Sequence, residues 1–236
     1  MTPPKPPARR ALSEPLLHHF CHDIRVPLTS IGVSAELLAT GRLSPEQTAE
    51  FAQIIARQAL RIGRMIDNLE CTSSSIRDEE SNGDFDISIL ASETVRRMEA
   101  DADSRGVSLQ IVRCDGAPRV PGPSEFFESV LFWILEVGLR ASHSGARVEI
   151  SFETLGGRAA SRIRMAAAGL DEGACEGLAE FSVEKPLPDL VRGIAGPLRM
   201  ALDNFTEVGG SVGTVLRDGA LEWTLTLPGA ASRHAA

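Results

Sequence analysis

The sequence predicts a protein of class α + α/β: an antiparallel helical hairpin that dimerises into a four-helix bundle, followed by an α/β sandwich. Three observations carry this reading. Before residue 72, apolar residues recur at steps of three and four along two long stretches. Thr72 to Asp84 is rich in Ser, Asp, Glu, Asn and Gly, the composition of a connector. Beyond it, short stretches of alternating apolar and polar residues are interleaved with helical ones.

Residues 1–11 include Thr2-Pro3-Pro4-Lys5-Pro6-Pro7 and lack an apolar core, which reads as a disordered tail rather than a signal peptide. The hairpin occupies residues 12–72. Its first helix runs from about Leu12 to Ala39, with a seam at Leu17, Cys21, Ile24, Leu28, Ile31, Ala35 and Leu38. Cys21 on that seam places His22 beside it, facing water. Pro27 lacks an amide donor and crowds the carbonyl of Asp23, so a kink is expected on that turn. Gly41 suits the end of this helix. Ser44, Pro45 and Gln47 then spell a capping box with proline in the first turn. The second helix carries Phe51, Ile55, Ile62, Met65 and Leu69, with Gln58 filling one slot. Two seams this apolar cannot bury themselves in one hairpin, so a homodimer is expected.

Residues 73–84 form the linker and residues 85–228 the second domain. Phe85-Asp86-Ile87 opens a helix over Ser88 to Asp103, and Val107 to Arg113 alternates like a strand. Pro118 to Pro123 is a turn-rich connection, and Ser124 to Ala141 a strongly apolar helix. Arg147 to Thr154 and Arg158 to Met165 pair about Gly156-Gly157. Asp171 to Lys185 is acidic and follows neither period. Pro188 to Val208 forms a helix weakened by Gly193, Gly196 and Pro197 and ended by Gly209-Gly210. Ser211 to Arg217 and Leu221 to Leu227 close as a hairpin about Asp218-Gly219. Residues 229–236 are a tail. The expected result is one mixed sheet with helices on one face.

The net charge of −8 over 236 residues argues against nucleic acid as a partner, because phosphate backbones select basic clusters. The best apolar run, Val130 to Leu139, is interrupted by Glu136, so no membrane span is expected. Cys21, Cys71, Cys114 and Cys175 are scattered, without metal-ligand spacing, and are expected to be free thiols in a cytoplasmic protein.

His22-Asp23-Ile24-Arg25-Val26-Pro27-Leu28, followed by Thr29-Ser30-Ile31, resembles the phosphoacceptor motif of two-component sensor histidine kinases: His, an acid, any residue, Arg, any residue, Pro, Leu. The order of elements after the linker resembles that family's ATP-binding domain. The resemblance makes His22 the phosphoacceptor and Asp23 its orienting base. The chemistry suits the residues by itself. A neutral imidazole is a competent nucleophile near pH 7, and a carboxylate beside it can accept from one ring nitrogen and leave the other free. Arg25 reads equally as a surface ion-pair former and as a phosphate clamp. Pro27 contributes the kink. His18 and His19 read as solvated.

The ATP-binding elements depart from the family. Trp133 and Val137 stand where the family's two Asn residues belong on the apolar helix; Glu136 keeps the acid and is a possible vestige of cofactor binding. Ala166 to Ala168 occupy the region of the adenine-reading Asp; Gly169 remains of that motif and Asp171 is out of register. In Arg192-Gly193-Ile194-Ala195-Gly196-Pro197-Leu198, Pro197 falls on a family glycine and cannot donate an amide to phosphate. No metal site and no cofactor are expected; magnesium belongs on a partner receiver domain, and ATP-magnesium enters only if the chain is a kinase.

The pattern resembles dimeric histidine phosphotransferases built on a degenerate kinase body. The resemblance implies phosphoryl exchange at His22 with response-regulator receiver domains, fed by an upstream hybrid kinase. The short stretch ahead of the first helix leaves no room for a sensor domain, so input comes from a partner. The alternatives are a cytoplasmic kinase with a divergent ATP site that phosphorylates its own His22, and a non-enzymatic pseudo-kinase that sequesters a receiver or kinase. Family members that also act as phosphatases often carry Thr or Asn four residues after the histidine; Val26 stands there, which implies poor hydrolysis of phospho-aspartate.

Overall fold

A computed structural model describes residues 14–73, 83–114, 119–167, 178, 191 and 193–228. The tails, most of the linker, and the stretch from Asp171 to Lys185 except Leu178 lie outside these residues, as do Ala168, Gly169 and Arg192. The chain divides into two compact units, Met1–Arg77 and Asp78–Ala236.

The first unit is a hairpin of α1 (Glu14–Ala39) and α2 (Pro45–Ser73). The turn between them is set by local chemistry. Gly41 takes a positive φ of 63°, and Gly41 N–H donates to the Leu38 carbonyl. The capping box forms in both directions: Gln47 N–H donates to Ser44 Oγ at 3.2 Å and Ser44 N–H donates to Gln47 Oε1 at 3.0 Å. The helix α1 stays helical across Pro27.

One sequence expectation needs correcting here. Cys21 is exposed rather than on the packed seam, and Leu28 is 51% exposed. The face of α1 buried within the hairpin runs through Phe20, Asp23, Pro27 and Ser34, one residue away from the expected set. A two-stranded seam has one line of contact. A hairpin that also presents an apolar stripe outward needs two, and the periodicity did not say which line faces α2.

The second unit opens with β1 (Asp84–Asp86) and α3 (Ile87–Ser104). Asp86 caps α3, accepting from the Ser88 and Ile89 amides. Then come β2 (Ser108–Cys114), β3 (Arg119–Pro121) and α4 (Ser124–Ala141). The strand β3 lies where a plain connection was expected; it pairs antiparallel with β1, Phe85 opposite Val120. Three residues are too short to show a period, which is why the sequence hid it. Next are β4 (Arg147–Leu155), β5 (Arg158–Ala166), α5 (Ala195–Glu207), β6 (Ser211–Arg217) and β7 (Ala220–Pro228). The described part of the helix expected from Pro188 begins only at Ala195.

The main sheet has the order β2-β4-β5-β7-β6. Only β2 and β4 pair in parallel; the other neighbours are antiparallel. Val148, Ile150 and Phe152 of β4 alternate with half-buried Glu149, Ser151 and Glu153, and Leu221, Trp223, Leu225 and Leu227 repeat the pattern on β7. One face of the sheet is thus covered, and α3, α4 and α5 pack there. A helical hairpin followed by an α/β unit with one mixed sheet is the arrangement the sequence predicts.

The candidate phosphoacceptor and the apolar helix of the second unit

The first candidate site is one turn of α1. The His22 side chain is 68% exposed, whereas that of Asp23 is only 10% exposed. A helix turns its successive residues by about 100°, so neighbours face different surroundings. His22 Nδ1 lies 3.6 Å from Asp23 Oδ1. That is beyond a normal hydrogen bond but close enough for the carboxylate to bias which nitrogen holds the proton. Arg25 and Val26 are exposed, and Pro27 is buried. Pro27 supplies no amide to the Asp23 carbonyl, while Thr29 Oγ1 donates to the Arg25 carbonyl at 2.9 Å. His22, Asp23, Arg25 and Pro27 thus share one stretch of α1, with imidazole outward and carboxylate inward.

Sequence reading passed over the helix opposite. Arg57, Arg61 and Arg64 recur at steps of four and three on α2, none of them fully exposed; the Arg64 side chain is 12% exposed and lies 3.6 Å from Asp67. Their spacing was visible, but arginines at helical steps normally mark a solvated face.

The second candidate site is α4. Trp133 and Val137 are both fully buried. Phe132 and Trp133 meet edge-to-face with ring centres 5.1 Å apart. Glu136 is 5% exposed and accepts from Arg140 Nε at 2.8 Å, with Arg105 Nη2 3.8 Å away. Arg105 also bonds Asp101 on α3. Glu136 therefore ties α4 to the end of α3, an internal ion-pair role rather than an outward-facing ligand. The next elements follow suit. Ala167 N–H donates to the Gly219 carbonyl at 3.0 Å, fixing the end of β5 against the β6–β7 turn. Pro197 is buried in the first turn of α5, where it offers no N–H. ATP with magnesium needs hard oxygen ligands and amide donors. At 133, 137 and 197 the chain offers indole, isopropyl and an imide nitrogen, and these residues do not fit the group. Among the described residues, no cluster of His, Cys, Asp and Glu is arranged to hold a metal ion.

Residues 15–75 match the family model of the His Kinase A (phospho-acceptor) domain. The match covers the hairpin and stops short of the second unit. No curated protein sequence matches the chain. Several histidine kinases are among the solved structures it resembles. Full-length ShkA in complex with AMPPNP superposes with a TM-score of 0.60 at 17% identity, over 93% of this chain and 46% of that one. The histidine kinase ThkA in complex with the response regulator protein TrrA gives 0.58 at 16% identity, over 93% and 63%. A bacterial phosphotransferase gives 0.53 at 14% identity, over 92% and 98%. At such identities the likeness establishes the fold. The histidine kinase-like chain thus joins a phospho-acceptor hairpin to an α/β unit with the fold of the kinase catalytic domain. No helix among its described residues is long and apolar enough to cross a membrane.

Proposed function

We propose that this histidine kinase-like chain relays phosphoryl groups through His22 between receiver domains, as a homodimer. The observation that carries the relay over ATP-dependent phosphorylation is the burial of Trp133 and Val137 on α4. A helix face sealed with indole and isopropyl groups has no oxygen to offer magnesium. The homodimer draws support from the apolar groups that the hairpin leaves exposed, among them Leu28, Val33, Leu60 and Ile66. A solved kinase of this fold, ThkA, is held by a response regulator, which supports receivers as partners.

In the relay, Nε2 of His22 attacks the phosphorus of an aspartyl phosphate on a receiver. The new N–P bond forms as the P–O bond to the receiver breaks, and its electrons return to the receiver carboxylate. Magnesium stays with the receiver, where it neutralises charge on the moving phosphoryl group. Asp23 holds the proton on Nδ1 throughout. The reverse sequence delivers the group to a second receiver.

A second reading, autophosphorylation from ATP, is favoured by the number of kinases among the similar structures and by the AMPPNP bound to ShkA. One experiment separates the two. The full chain is incubated with labelled ATP-magnesium and, separately, with a labelled phosphoreceiver. Label from the receiver alone supports the relay, and label from ATP overturns it in favour of a kinase. Label from neither leaves a non-enzymatic regulator. His22→Gln should abolish labelling; full labelling in that variant removes His22 from the mechanism.

A further inference from the structure

Asp23 is a carboxylate buried in a two-helix unit, 7% exposed overall. A buried carboxylate is stable only beside a compensating charge or donors. His22 supplies a charge only when protonated, and its ring stands mostly in water. The compensating charge must come from the helix packed against α1.

The register of the hairpin shows where. Asp23 lies nineteen residues before Arg42, in the middle of the turn, and Arg61 lies nineteen after it. Both arms are α-helical with the same rise per residue, so Asp23 and Arg61 stand at the same height. Arg57 and Arg64 sit one turn to either side. Met65, one turn beyond Arg61 on the same face, is fully buried, so this face packs inward. Arg61 Nε is shielded from solvent. Asp23 and the three arginines all have interaction partners in the structure.

We propose that Arg61 is the counter-charge of Asp23 and, acting through it, a positioning residue for phosphoryl transfer at His22. The assignment rests on the relay reading above. Arg61 holds the Asp23 carboxylate in place facing Nδ1, which keeps the ring turned with its Nε2 lone pair outward. During transfer that lone pair forms the N–P bond, the P–O bond to the receiver breaks, and the positive charge gained by the ring is balanced by Asp23.

The test uses the full chain. In ¹⁵N spectra of the wild type, neutral His22 should carry its proton on Nδ1. Arg61→Gln should move it to Nε2, the form free imidazole prefers, and Arg61→Lys should keep it on Nδ1. Transfer from a phosphoreceiver should slow about tenfold in Arg61→Gln, less than losing the orienting carboxylate itself. On an Asp23→Asn background the same substitution should cost nothing further, because the two act as one unit. A folded Arg61→Gln protein with unchanged tautomer and rate overturns the proposal, and so does a loss that adds to that of Asp23→Asn. If Arg61→Gln does not fold, the wild type decides: nuclear Overhauser contacts between the Arg61 guanidinium and the Asp23 β-protons are expected, and their absence overturns the assignment. The tautomer measurement needs no phosphoryl donor. A wild type that takes no label thus defeats the relay reading and leaves the role of Arg61 to the spectra.

Discussion

His22 Nδ1 stands 3.6 Å from Asp23 Oδ1, yet the two side chains differ nearly sevenfold in exposure, 68% against 10%. The imidazole proposed as nucleophile faces water, while the carboxylate proposed to orient it stays inside the hairpin. Asp23→Asn keeps the shape and removes the charge. It should slow labelling of His22 from a phosphoreceiver by a hundredfold or more, roughly the effect of disturbing the tautomer in a nucleophilic triad. Single-turnover labelling measures this, and an unchanged rate would take Asp23 out of the mechanism.

The sealed face of α4 leads to a thermal prediction. A ligand at a hundred times its dissociation constant stabilises the state that binds it by about 2.7 kcal/mol. Millimolar ATP with magnesium should leave the melting temperature of this chain unchanged. A rise of several degrees would show a working nucleotide site and favour the kinase reading.

Val26 is 49% exposed, one turn beyond His22. An isopropyl group there cannot hold a water for attack on a receiver's phospho-aspartate. The wild type with magnesium should leave a phosphoreceiver's label intact or take it onto His22, and Val26→Thr should release more of it as inorganic phosphate. Equal release by both proteins would end this reading of position 26.

Asp86 tests the second unit alone. The Ser88 hydroxyl donates to its carboxylate at 2.6 Å, and this bond is the main reason its carboxyl is held below the ordinary carboxylate value. Burial opposes the effect, and the amides of Ser88 and Ile89 and the charge of Arg119 reinforce it. The folded-state value is depressed, so the stabilisation is complete above the ordinary carboxylate range. It is lost as pH falls through the folded value. Asp86→Ala should cost about 1 kcal/mol at neutral pH, the usual worth of such a cap. That difference from wild type should shrink in melts taken at progressively lower pH below 4. A gap that stays constant with pH would mean the carboxylate charge plays no part.

Gly210 offers a test of packing. A Cβ there would meet the Phe205 ring at 2.5 Å and the Phe205 carbonyl oxygen at 2.6 Å. The carbonyl is backbone and already accepts from Gly210 N–H, so neither partner can give way cheaply. Gly210→Ala should destabilise by about 1–3 kcal/mol, the usual range for overpacking. Chemical denaturation would show it, and wild-type stability would place Phe205 elsewhere.

Much was legible in the residues themselves. Local chemistry settles local structure: Ser44, Pro45 and Gln47 start α2, Asp86 caps α3, and Asp218 and Gly219, with φ of 50° and 71°, turn β6 into β7. The candidate stretch around His22 stood out for the same reason, since its residue types are adjacent and their chemistry is short-ranged. The strand β3 and the late start of α5 were not, because both depend on partners distant in sequence.

By itself the sequence determined the hairpin and the mixed sheet, and it singled out His22 as the candidate. It also determined that Trp133 and Val137 bring no oxygen to α4, because side-chain chemistry does not depend on the fold. Only the tertiary structure decided which way each group faces. It turned Cys21 out and Asp23 in, took Glu136 into an ion pair with Arg140, and brought the arginine row of α2 into the hairpin. Burial depends on what the rest of the chain places opposite a residue, and a helical period constrains only the spacing along one face.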